Sequence, residues 1–341
     1  MKLSIAICTY NRVDLLEYAI RSVVNQLDNK DVELLIIDNN STDDTEILSS
    51  RYVNDANVLY FKEESLGLSY ARNRAMHESR GIYIAYIDDD AELGDTWVDE
   101  ALAIIQQYAP DIYGGPYFPL YKSEKPKWYN YDYEIINIEK SGWLTDDNGD
   151  GIIGGCNMVF KTSYLISLGG FDPEFGMKGD KLYYGEESAI IDNAIKQNGK
   201  VYYSCNLCVH HFVPPFKMTL PYFYERYYQL GVTKYWMEQK DHRVDHFSSH
   251  KDALFYLVNE LDKMNESYHQ IILKIKKNDI QGEFENEIVK NIIQQHIYVL
   301  GYLNEKAKHI VPKRNSFWGK VYRMNLETVV VFLGKRFFLR K

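Results

Sequence analysis

The chain has 341 residues, with 39 basic and 48 acidic side chains and a formal net charge of -9. Hydrophobic residues at 45% and charged residues at 26% are typical of a globular protein, which excludes wholesale disorder. The acidic balance argues against a nucleic-acid binder, four cysteines are too few for a disulfide scaffold, and no apolar run approaches the ~20 residues that span a bilayer.

The first 110 residues alternate between strand and helix patterns. Four short apolar runs are predicted to be strands, at 3–8, 33–38, 58–62 and 81–88. Helical patterns separate or follow them, at 15–27, 42–50, 68–79 and 95–108. A nearly continuous apolar strand such as the first is typical of a parallel sheet covered on both faces. The alternation therefore predicts right-handed βαβ units and a doubly wound α/β sheet.

The second half of the chain is less regular. Residues 113–150 are rich in aromatic residues, proline and glycine, which predicts a surface excursion over the sheet. Two further helices are predicted, one ended by Gly169 and one over 186–198, where Gly199 suits a left-handed cap. Beyond Pro221 the pattern is mainly helical. We therefore expect an α/β domain over 1–235 and a helical C-terminal region over 236–341.

Three consecutive aspartates, Asp88, Asp89 and Asp90, close the fourth predicted strand. Ligands of open α/β sheets bind beyond the carboxyl ends of the strands. Adjacent carboxylates repel one another unless a cation offsets their charge. Hard oxygen ligands suit Mg²⁺ or Mn²⁺, with substrate phosphates completing the coordination shell. The run therefore predicts a divalent metal site, with a solvated acidic turn as the alternative.

Asp38 ends the second predicted strand and is expected at the same edge of the sheet. Ser41 or Thr42 can cap the next helix, but such a cap leaves Asp38 unexplained, and its carboxylate can accept hydrogen bonds from a base or a ribose. The chain lacks Gly-x-Gly-x-x-Gly after its first strand and lacks a Walker lysine. Phosphate charge is therefore expected to be met mainly by metal, which disfavours dehydrogenases and kinases.

Two other metal patterns are weaker. Residues 146–151 match the opening of a calcium loop, but Asn157 stands where the bidentate glutamate belongs. Cys205 and Cys208, with the histidine pair that follows, imitate zinc-ligand spacing without a second pair elsewhere. We expect neither calcium nor zinc at these segments.

The order of several motifs resembles glycosyltransferase family 2, whose members are inverting enzymes with the GT-A fold. Residues 4–12 (SIAICTYNR) resemble the family's first strand and turn, and 37–43 (IDNNSTD) resemble its second. Residues 67–73 (GLSYARN) resemble a helix start that carries a nucleotide-contacting arginine, and the aspartate run resembles the D-x-D metal motif. Later segments follow in the family's order, at 157–160 (NMVF), 169–172 (GGFD), 185–187 (GEE) and 210–215 (HHFVPP). The resemblance covers about residues 1–235 and implies a GT-A, doubly wound mixed sheet with a C-terminal helical extension.

The resemblance implies a donor site for a UDP-sugar. Tyr10 would stack on the base, beside main-chain contacts from Cys8 or Thr9. Asp38 and Arg72 would recognise the base and the ribose.

The resemblance also implies a Mn²⁺ or Mg²⁺ site. Asp88 would face the ribose and the metal, and Asp90 would bind the cation directly. The part played by Asp89 is open, because in a run of three aspartates the motif does not show which residue has which role. His211 is the better match to a third protein ligand, since the family pattern is His-x-Val-Pro; without the motif, a hydrogen-bonded surface pair would be the expectation.

Glu187 aligns with the family's catalytic base, which is more often aspartate, and Glu186 is the alternative. On their own, both would be an ordinary acidic first turn of a helix. The chemistry needs one carboxylate to take the proton from the acceptor hydroxyl, which is typically worth 10²–10⁴-fold. The leaving nucleoside diphosphate needs no separate acid, because a metal neutralises its charge.

The acceptor cleft is expected near the 113–150 excursion. Trp128 and Trp143 are candidates to border it, although ordinary packing explains most aromatic residues. Asn157 is a candidate contact for the acceptor or the donor sugar, because the resemblance includes it.

Residues 313–341 differ from the rest of the chain. They contain eight basic residues and one acidic residue, interleaved with aromatic and apolar side chains. This composition predicts a segment that lies on an anionic membrane surface. The alternative is a terminal helix that docks on its own domain or on a homodimer partner. We expect a cytoplasmic protein, peripheral at the inner face of the plasma membrane.

Together these observations predict a metal-dependent hexosyl- or N-acetylhexosaminyltransferase. Its donor would be a UDP-sugar and its acceptor a glycan, by family analogy a lipid-linked one in bacterial surface polysaccharide assembly. One alternative is a sugar nucleotidylyltransferase, which would need a glycine-rich basic loop after the first strand. The other is a glycan- or nucleotide-sugar-binding protein that has lost catalysis.

Overall fold

The computed structural model describes residues 1–54, 57–126, 129, 135–145, 153–177 and 185–240, together with 297–298, 301–302 and 305. The chain divides into two compact units. The first comprises residues 1–124 and 130–214, and the second comprises 125–129 and the chain from Pro215. The expected limit at residue 235 lies within a helix of the second unit, and the division of the chain into two domains there stays a prediction.

Short strands make up most of the first unit. In chain order they are β1 (Leu3–Thr9), β2 (Val32–Asp38), β3 (Val58–Lys62), β4 (Tyr83–Asp88), β5 (Ala91–Leu93), β6 (Ile112–Gly114), β7 (Tyr117–Tyr121), β8 (Gly142–Leu144), β9 (Asn157–Lys161), β10 (Val201–Tyr203) and β11 (Val209–Val213). The four predicted strands correspond to β1, β2, β3 and β4.

Eight strands form one mixed sheet in the order β3-β2-β1-β4-β9-β6-β10-β8. The first four strands of that order are parallel to one another, with β1 between β2 and β4. Strand β9 runs antiparallel to both of its neighbours, β4 and β6. The predicted α/β class with a large mixed sheet is confirmed.

Helices cover both faces of this sheet. They are α1 (Val13–Val24), α2 (Thr45–Ser50), α3 (Leu68–Glu78), α4 (Trp97–Tyr108), α5 (Thr162–Ser167) and α6 (Glu186–Lys196). Because strand side chains alternate between faces, Ile5 and Ile7 of β1 pack with α1 and α4, whereas Ala6 packs with α3, α5 and α6. This two-sided core explains why the strands are apolar without interruption.

A second, three-stranded sheet has the order β5-β11-β7. Strand β11 runs antiparallel to β5 and parallel to β7. In this register His211 lies opposite Ala91, the residue that follows the aspartate run. The small sheet therefore carries His211 to the end of β4.

The end of α6 corrects the predicted cap at Gly199. The left-handed residue is Asn198, with φ of 59°. Gly199 follows it and donates its backbone N–H to the carbonyl of Ala194 at 2.8 Å, as the second residue of a Schellman-type ending does. A Cβ at this position would lie 2.9 Å from the Ala194 carbonyl oxygen and would also crowd the Tyr164 hydroxyl, which favours glycine.

The predicted cap at Ser41 or Thr42 is also corrected. Helix α2 begins later, at Thr45, and its N-cap residue makes no side-chain cap bond. The Ser41 hydroxyl instead accepts the backbone N–H of Asn11, which ties the two turns that follow β1 and β2 together.

The described part of the second unit contains a 3-10 turn (Pro215–Met218) and the long helix α7 (Leu220–Lys240). Tyr235 of this helix packs edge-to-face against Tyr302. Within the described residues, no helix combines the length and apolar character needed to cross a membrane. The basic segment 313–341 lies outside the described residues.

Candidate active site

The carboxyl ends of the central parallel strands bring the predicted donor-site residues together. Cys8 of β1 lies in register with Asp88 of β4, and Thr9 lies in register with Asp38 of β2. Parallel strands end at one edge of a sheet, so side chains that are distant in sequence meet there. Burial raises the pKa of the Cys8 thiol to about 12, so this group stays neutral.

The three aspartates have different surroundings. The Asp88 side chain is 33% exposed, whereas those of Asp89 and Asp90 are 7% and 2% exposed. Both oxygens of Asp89 accept hydrogen bonds, Oδ2 from the Thr9 hydroxyl at 2.7 Å and Oδ1 from the Arg12 guanidinium at 3.0 Å. Burial raises the Asp89 pKa to about 6, against the opposing effect of Arg12. Asp89 therefore belongs to the walls of the site, whereas Asp88 faces solvent.

Arg12 is a site residue that the sequence analysis missed. Its Nη1 lies 3.0 Å from Asp89 Oδ1 and 2.8 Å from Asp90 Oδ2, so one nitrogen bridges two carboxylates. The charge of Asp89 raises the Arg12 pKa further above its usual range, which keeps the guanidinium charged. The available signal was the arginine that ends the SIAICTYNR segment, in the turn after β1.

Asp88, Asp90 and His211 form a group that could hold a metal ion. One ligand atom from each lies within 4.8 Å of the other two, and within the described part of the chain this is the one such group of three. The imidazole Nε2 is 3.0 Å from Asp90 Oδ1, while Nδ1 is buried with no hydrogen-bond partner. Two carboxylates suit Mn²⁺ or Mg²⁺, the imidazole favours Mn²⁺ of the two, and the partly exposed Asp88 leaves room for substrate oxygens. The donor set therefore fits the predicted cation.

Arg72 links the end of β4 to the start of α6. Its Nη1 is 2.6 Å from Glu186 Oε1, and its Nη2 is 3.4 Å from Asp88 Oδ1 and 3.3 Å from the Gly155 carbonyl. Burial opposes the charge of Arg72, but Glu186 and Asp88 outweigh it and raise its pKa above the usual range. The guanidinium also lies over the Phe171 ring, 5.4 Å from its centroid. Arg72 is thus enclosed by protein groups.

Glu187 differs from its neighbour Glu186 in having an unpartnered oxygen. Its Oε2 is buried and makes no hydrogen bond. Burial raises the Glu187 pKa to about 8, and the charge of Glu186 adds to this effect while Arg72 opposes it. Gly155 packs against this group, since an added Cβ would lie 3.0 Å from Arg72 Nη2 and 3.4 Å from Glu187 Cδ. With a pKa of about 8, the deprotonated form of this group is a stronger base than an ordinary glutamate and can accept a proton.

Asp38 is held by neighbouring protein groups. Its Oδ1 accepts the backbone N–H of Ser41 at 2.8 Å, and its Oδ2 accepts the Tyr60 hydroxyl at 2.7 Å. The next residue, Asn39, was missed by the sequence analysis: its side chain accepts the N–H of Gly67 and donates to the Ser65 carbonyl. These bonds fix the turn after β2 to the start of α3. Contacts of Asp38, Arg72 and the half-buried Tyr10 with a nucleotide stay predictions.

The expected sugar contact by Asn157 is corrected. Asn157 is fully buried. Its Oδ1 accepts the Trp97 indole N–H at 2.9 Å, and its Nδ2 donates to the carbonyls of Pro116 and Leu207 at 3.1 and 2.6 Å. Both polar atoms are therefore occupied, and the side chain joins loops beneath the site instead of facing a sugar.

The two candidate tryptophans do not join the cluster. Trp143 is 45% exposed on β8, the edge strand four places from β4 in the sheet order. It packs edge-to-face with Tyr108 and Tyr202. Trp128 lies outside the described residues, as does the calcium-like segment 146–151. Cys205, one of the two cysteines with zinc-ligand spacing, has its Sγ 3.2 Å from the Ser141 hydroxyl oxygen.

Comparison with known proteins agrees with this geometry. Residues 4–169 match the model of the family described as glycosyl transferase family 2. The chain is 25% identical over 240 residues to the glucosyl-dolichyl phosphate glucuronosyltransferase of Haloferax volcanii, covering 69% of this chain and 76% of that protein.

Solved structures share the fold at low identity. The crystal structure of S. aureus TarS residues 1–349 in complex with UDP-GlcNAc matches with a TM-score of 0.54 and 18% identity, over 90% of this chain and 91% of that one. The mannosyltransferase PcManGT from Pyrobaculum calidifontis, in complex with GDP-Man and Mn²⁺, matches with a TM-score of 0.58 and 13% identity, over 90% and 88% of the two chains. The chain therefore has the GT-A fold, and its matched region is similar to glycosyltransferase family 2.

Proposed function

We propose that the protein is a metal-dependent, inverting hexosyl- or N-acetylhexosaminyltransferase that uses a UDP-sugar and a glycan acceptor. One observation carries the proposal. The carboxyl group of Glu187, whose Oε2 is buried and unpartnered, lies near Arg72. Arg72 also contacts Asp88, which forms the metal-capable group with Asp90 and His211. A candidate proton acceptor and a candidate cation site thus both adjoin Arg72, and transfer from a nucleotide sugar requires two such groups close together.

On the donor side, Asp88, Asp90 and His211 would hold Mn²⁺ or Mg²⁺. The cation supplies charge neutralisation for the diphosphate when it is bound. Thr9 and Asp38 lie at the ends of neighbouring strands, where the base and the ribose of the donor would bind. Asp88 belongs to the metal-capable group and lies in register with Cys8 on the neighbouring strand β1. Its carboxylate would therefore contact both the cation and the ribose.

On the acceptor side, Glu187 would act as the general base. Its Oε2 would take the proton from the acceptor hydroxyl as the acceptor oxygen forms a bond to the anomeric carbon. The bond between that carbon and the diphosphate oxygen breaks, and UDP leaves. A single displacement of this kind inverts the configuration at the anomeric carbon. Glu186 is the weaker candidate for the base, because Arg72 already holds its Oε1 at 2.6 Å.

The structural neighbours support a nucleotide-sugar donor and a divalent cation. TarS was solved with UDP-GlcNAc, whereas PcManGT was solved with GDP-Man and Mn²⁺. The fold therefore accommodates both nucleotides, and UDP follows from the motif resemblance around Tyr10 and Asp38. The acceptor of the Haloferax volcanii relative, named as a glucosyl-dolichyl phosphate, supports a lipid-linked glycan here.

A nucleotide-sugar panel tests the proposal. The full chain is incubated with UDP- and GDP-linked hexoses and N-acetylhexosamines, with and without Mn²⁺, and nucleoside diphosphate release is measured. We expect release from a UDP-sugar that depends on Mn²⁺ and increases with a lipid-linked glycan acceptor. Release confined to GDP-sugars would overturn the donor assignment, and full release in EDTA would overturn the metal assignment.

A membrane location is proposed from the sequence of residues 313–341, which has eight basic residues and one acidic residue. Such a segment is attracted to anionic lipid by about 1 kcal/mol per basic residue near the surface. Deleting it should reduce co-sedimentation with phosphatidylserine vesicles but leave the weak binding to phosphatidylcholine vesicles unchanged. An unchanged pellet with the anionic vesicles would contradict the proposal.

A further inference from the structure

The aspartate run contains a cation of its own, the guanidinium of Arg12. Its Nη1 lies between Asp89 Oδ1 and Asp90 Oδ2, at 3.0 and 2.8 Å. The other oxygen of Asp90, Oδ1, faces His211 Nε2 at 3.0 Å. One oxygen of Asp90 is thus held by arginine, and the other points to the metal-capable group.

Asp89 is the second carboxylate that binds the Arg12 guanidinium. Its two oxygens accept hydrogen bonds from Arg12 and from the Thr9 hydroxyl, and its side chain is 7% exposed. Asp89 is also absent from the metal-capable group, which consists of Asp88, Asp90 and His211. The middle aspartate is therefore bound to the protein on both oxygens, whereas Asp88 and Asp90 each contribute an oxygen to the metal-capable group.

We infer that Arg12 and Asp89 are positioning residues for the metal centre: Asp89, anchored by Thr9, fixes Arg12, and Arg12 fixes the Asp90 carboxylate with Oδ1 directed to the cation. This inference rests on the proposed metal dependence. Partners that orient ligating carboxylates typically contribute 10–100-fold to metal affinity. Arg12 also leaves the three aspartates with two net negative charges, which one divalent cation balances.

The direction of the change in Mn²⁺ affinity when Arg12 is removed can test the inference. Arg12 is a positive charge close to the proposed cation, so simple electrostatics predicts that its removal tightens metal binding. Positioning predicts the opposite, because a released Asp90 carboxylate can rotate or pair elsewhere. The sign of the change in Mn²⁺ affinity therefore separates the two roles.

The experiment measures Mn²⁺ binding to the full chain without nucleotide, by electron paramagnetic resonance of the free ion. We expect Arg12→Met to weaken binding by about tenfold and Arg12→Lys, which keeps the charge, to recover part of the loss. Arg21→Met is the matched control, since this α1 arginine is exposed and pairs with Glu17 on the helix surface; its Mn²⁺ affinity should equal wild type. Thermal unfolding of each variant without metal checks that the fold is retained.

A double-mutant cycle tests the part assigned to Asp89. If Asp89 acts through Arg12, the loss in the Arg12→Met, Asp89→Asn double variant should be smaller than the two single losses combined. Tighter or unchanged binding in Arg12→Met, or fully additive losses, would overturn the inference. A wild-type chain that binds no Mn²⁺ would overturn the proposed metal centre itself, which is a separate result.

Discussion

Two arginine clusters share the active site and differ in how completely their carboxylates are paired. Around Arg12, both oxygens of Asp89 and both oxygens of Asp90 have protein partners. Around Arg72, Glu186 is paired at 2.6 Å, but the adjacent Glu187 has a buried oxygen with no partner. All four carboxylate oxygens of Asp89 and Asp90 are thus paired in the Arg12 cluster, whereas one oxygen of Glu187 is unpaired in the Arg72 cluster.

The difference supports the proposed roles of the two clusters. A buried polar oxygen without a hydrogen-bond partner costs free energy, so folded proteins seldom keep one without a functional reason. The Arg12 cluster has the arrangement expected of a scaffold for a cation. The Arg72 cluster pairs Glu186 and thereby holds the N-terminus of α6, while one oxygen of Glu187, the proposed base, has no hydrogen-bond partner.

The largest expected effect is on transfer in Glu187→Gln. The amide keeps the size of the side chain but cannot take a proton, so the rate of transfer should fall by 10²–10⁴-fold. Calorimetry with UDP and Mn²⁺ should give an affinity close to wild type, because Glu187 is not in the metal-capable group. The matched variant is Glu186→Gln, which should lose less activity. The reverse ranking would assign the base to Glu186.

The second prediction compares the two arginines in stability. Arg72→Met leaves Glu186 buried without its partner, which typically costs 3–5 kcal/mol, or roughly 10 °C in Tm for a unit of this size. Arg12→Met should cost less, because its side chain is 35% exposed and its partners keep bonds to Thr9 and His211. Thermal unfolding without metal measures both.

A control separates pairing from packing in this comparison. The double variant Arg72→Met, Glu186→Gln removes the uncompensated charge and should recover part of the lost Tm. An equal loss in the two single arginine variants would mean that the clusters do not differ in the way described.

The fold was largely predictable from the sequence, and the reason is periodicity. Strands β1 to β4 are short apolar runs that end in polar residues, and the helices between them carry regular apolar stripes. The small sheet of β5, β7 and β11 could not be predicted in this way. Its strands have three to five residues each and pair across 92 to 120 positions, so no local pattern marks them.

The site was predictable only in part. Strand ends pointed to Asp38 and Asp88, and the motif order pointed to His211. Arg12 was missed because its partners lie 77 and 78 positions away, and a turn arginine is ordinarily solvated. Asn157 was misjudged because a buried and an exposed asparagine look alike in sequence, whereas three hydrogen bonds distinguish them in the structure.

The smallest expected effect concerns pH and stability, and it tests the unpaired oxygen directly. The Glu187 pKa is raised to about 8 by burial, whereas an unfolded glutamate titrates near 4.3. Between these pH values the unfolded chain has released this proton and the folded chain keeps it. The unfolded state therefore binds fewer protons, and the wild type loses stability as the pH rises toward 8.

The amide side chain in the Glu187→Gln variant does not titrate, so the variant does not lose stability in this way as the pH rises. The variant should therefore unfold at a higher temperature than wild type at pH 8, with a smaller difference at pH 5. Glu46→Gln is the control, because Glu46 is an exposed residue in the first turn of α2 and its replacement should give no gain that grows with pH. A Glu187→Gln difference that is constant from pH 5 to pH 8 would show that the carboxylate finds a partner or water in solution. The contrast between the two arginine clusters would then lose its energetic basis.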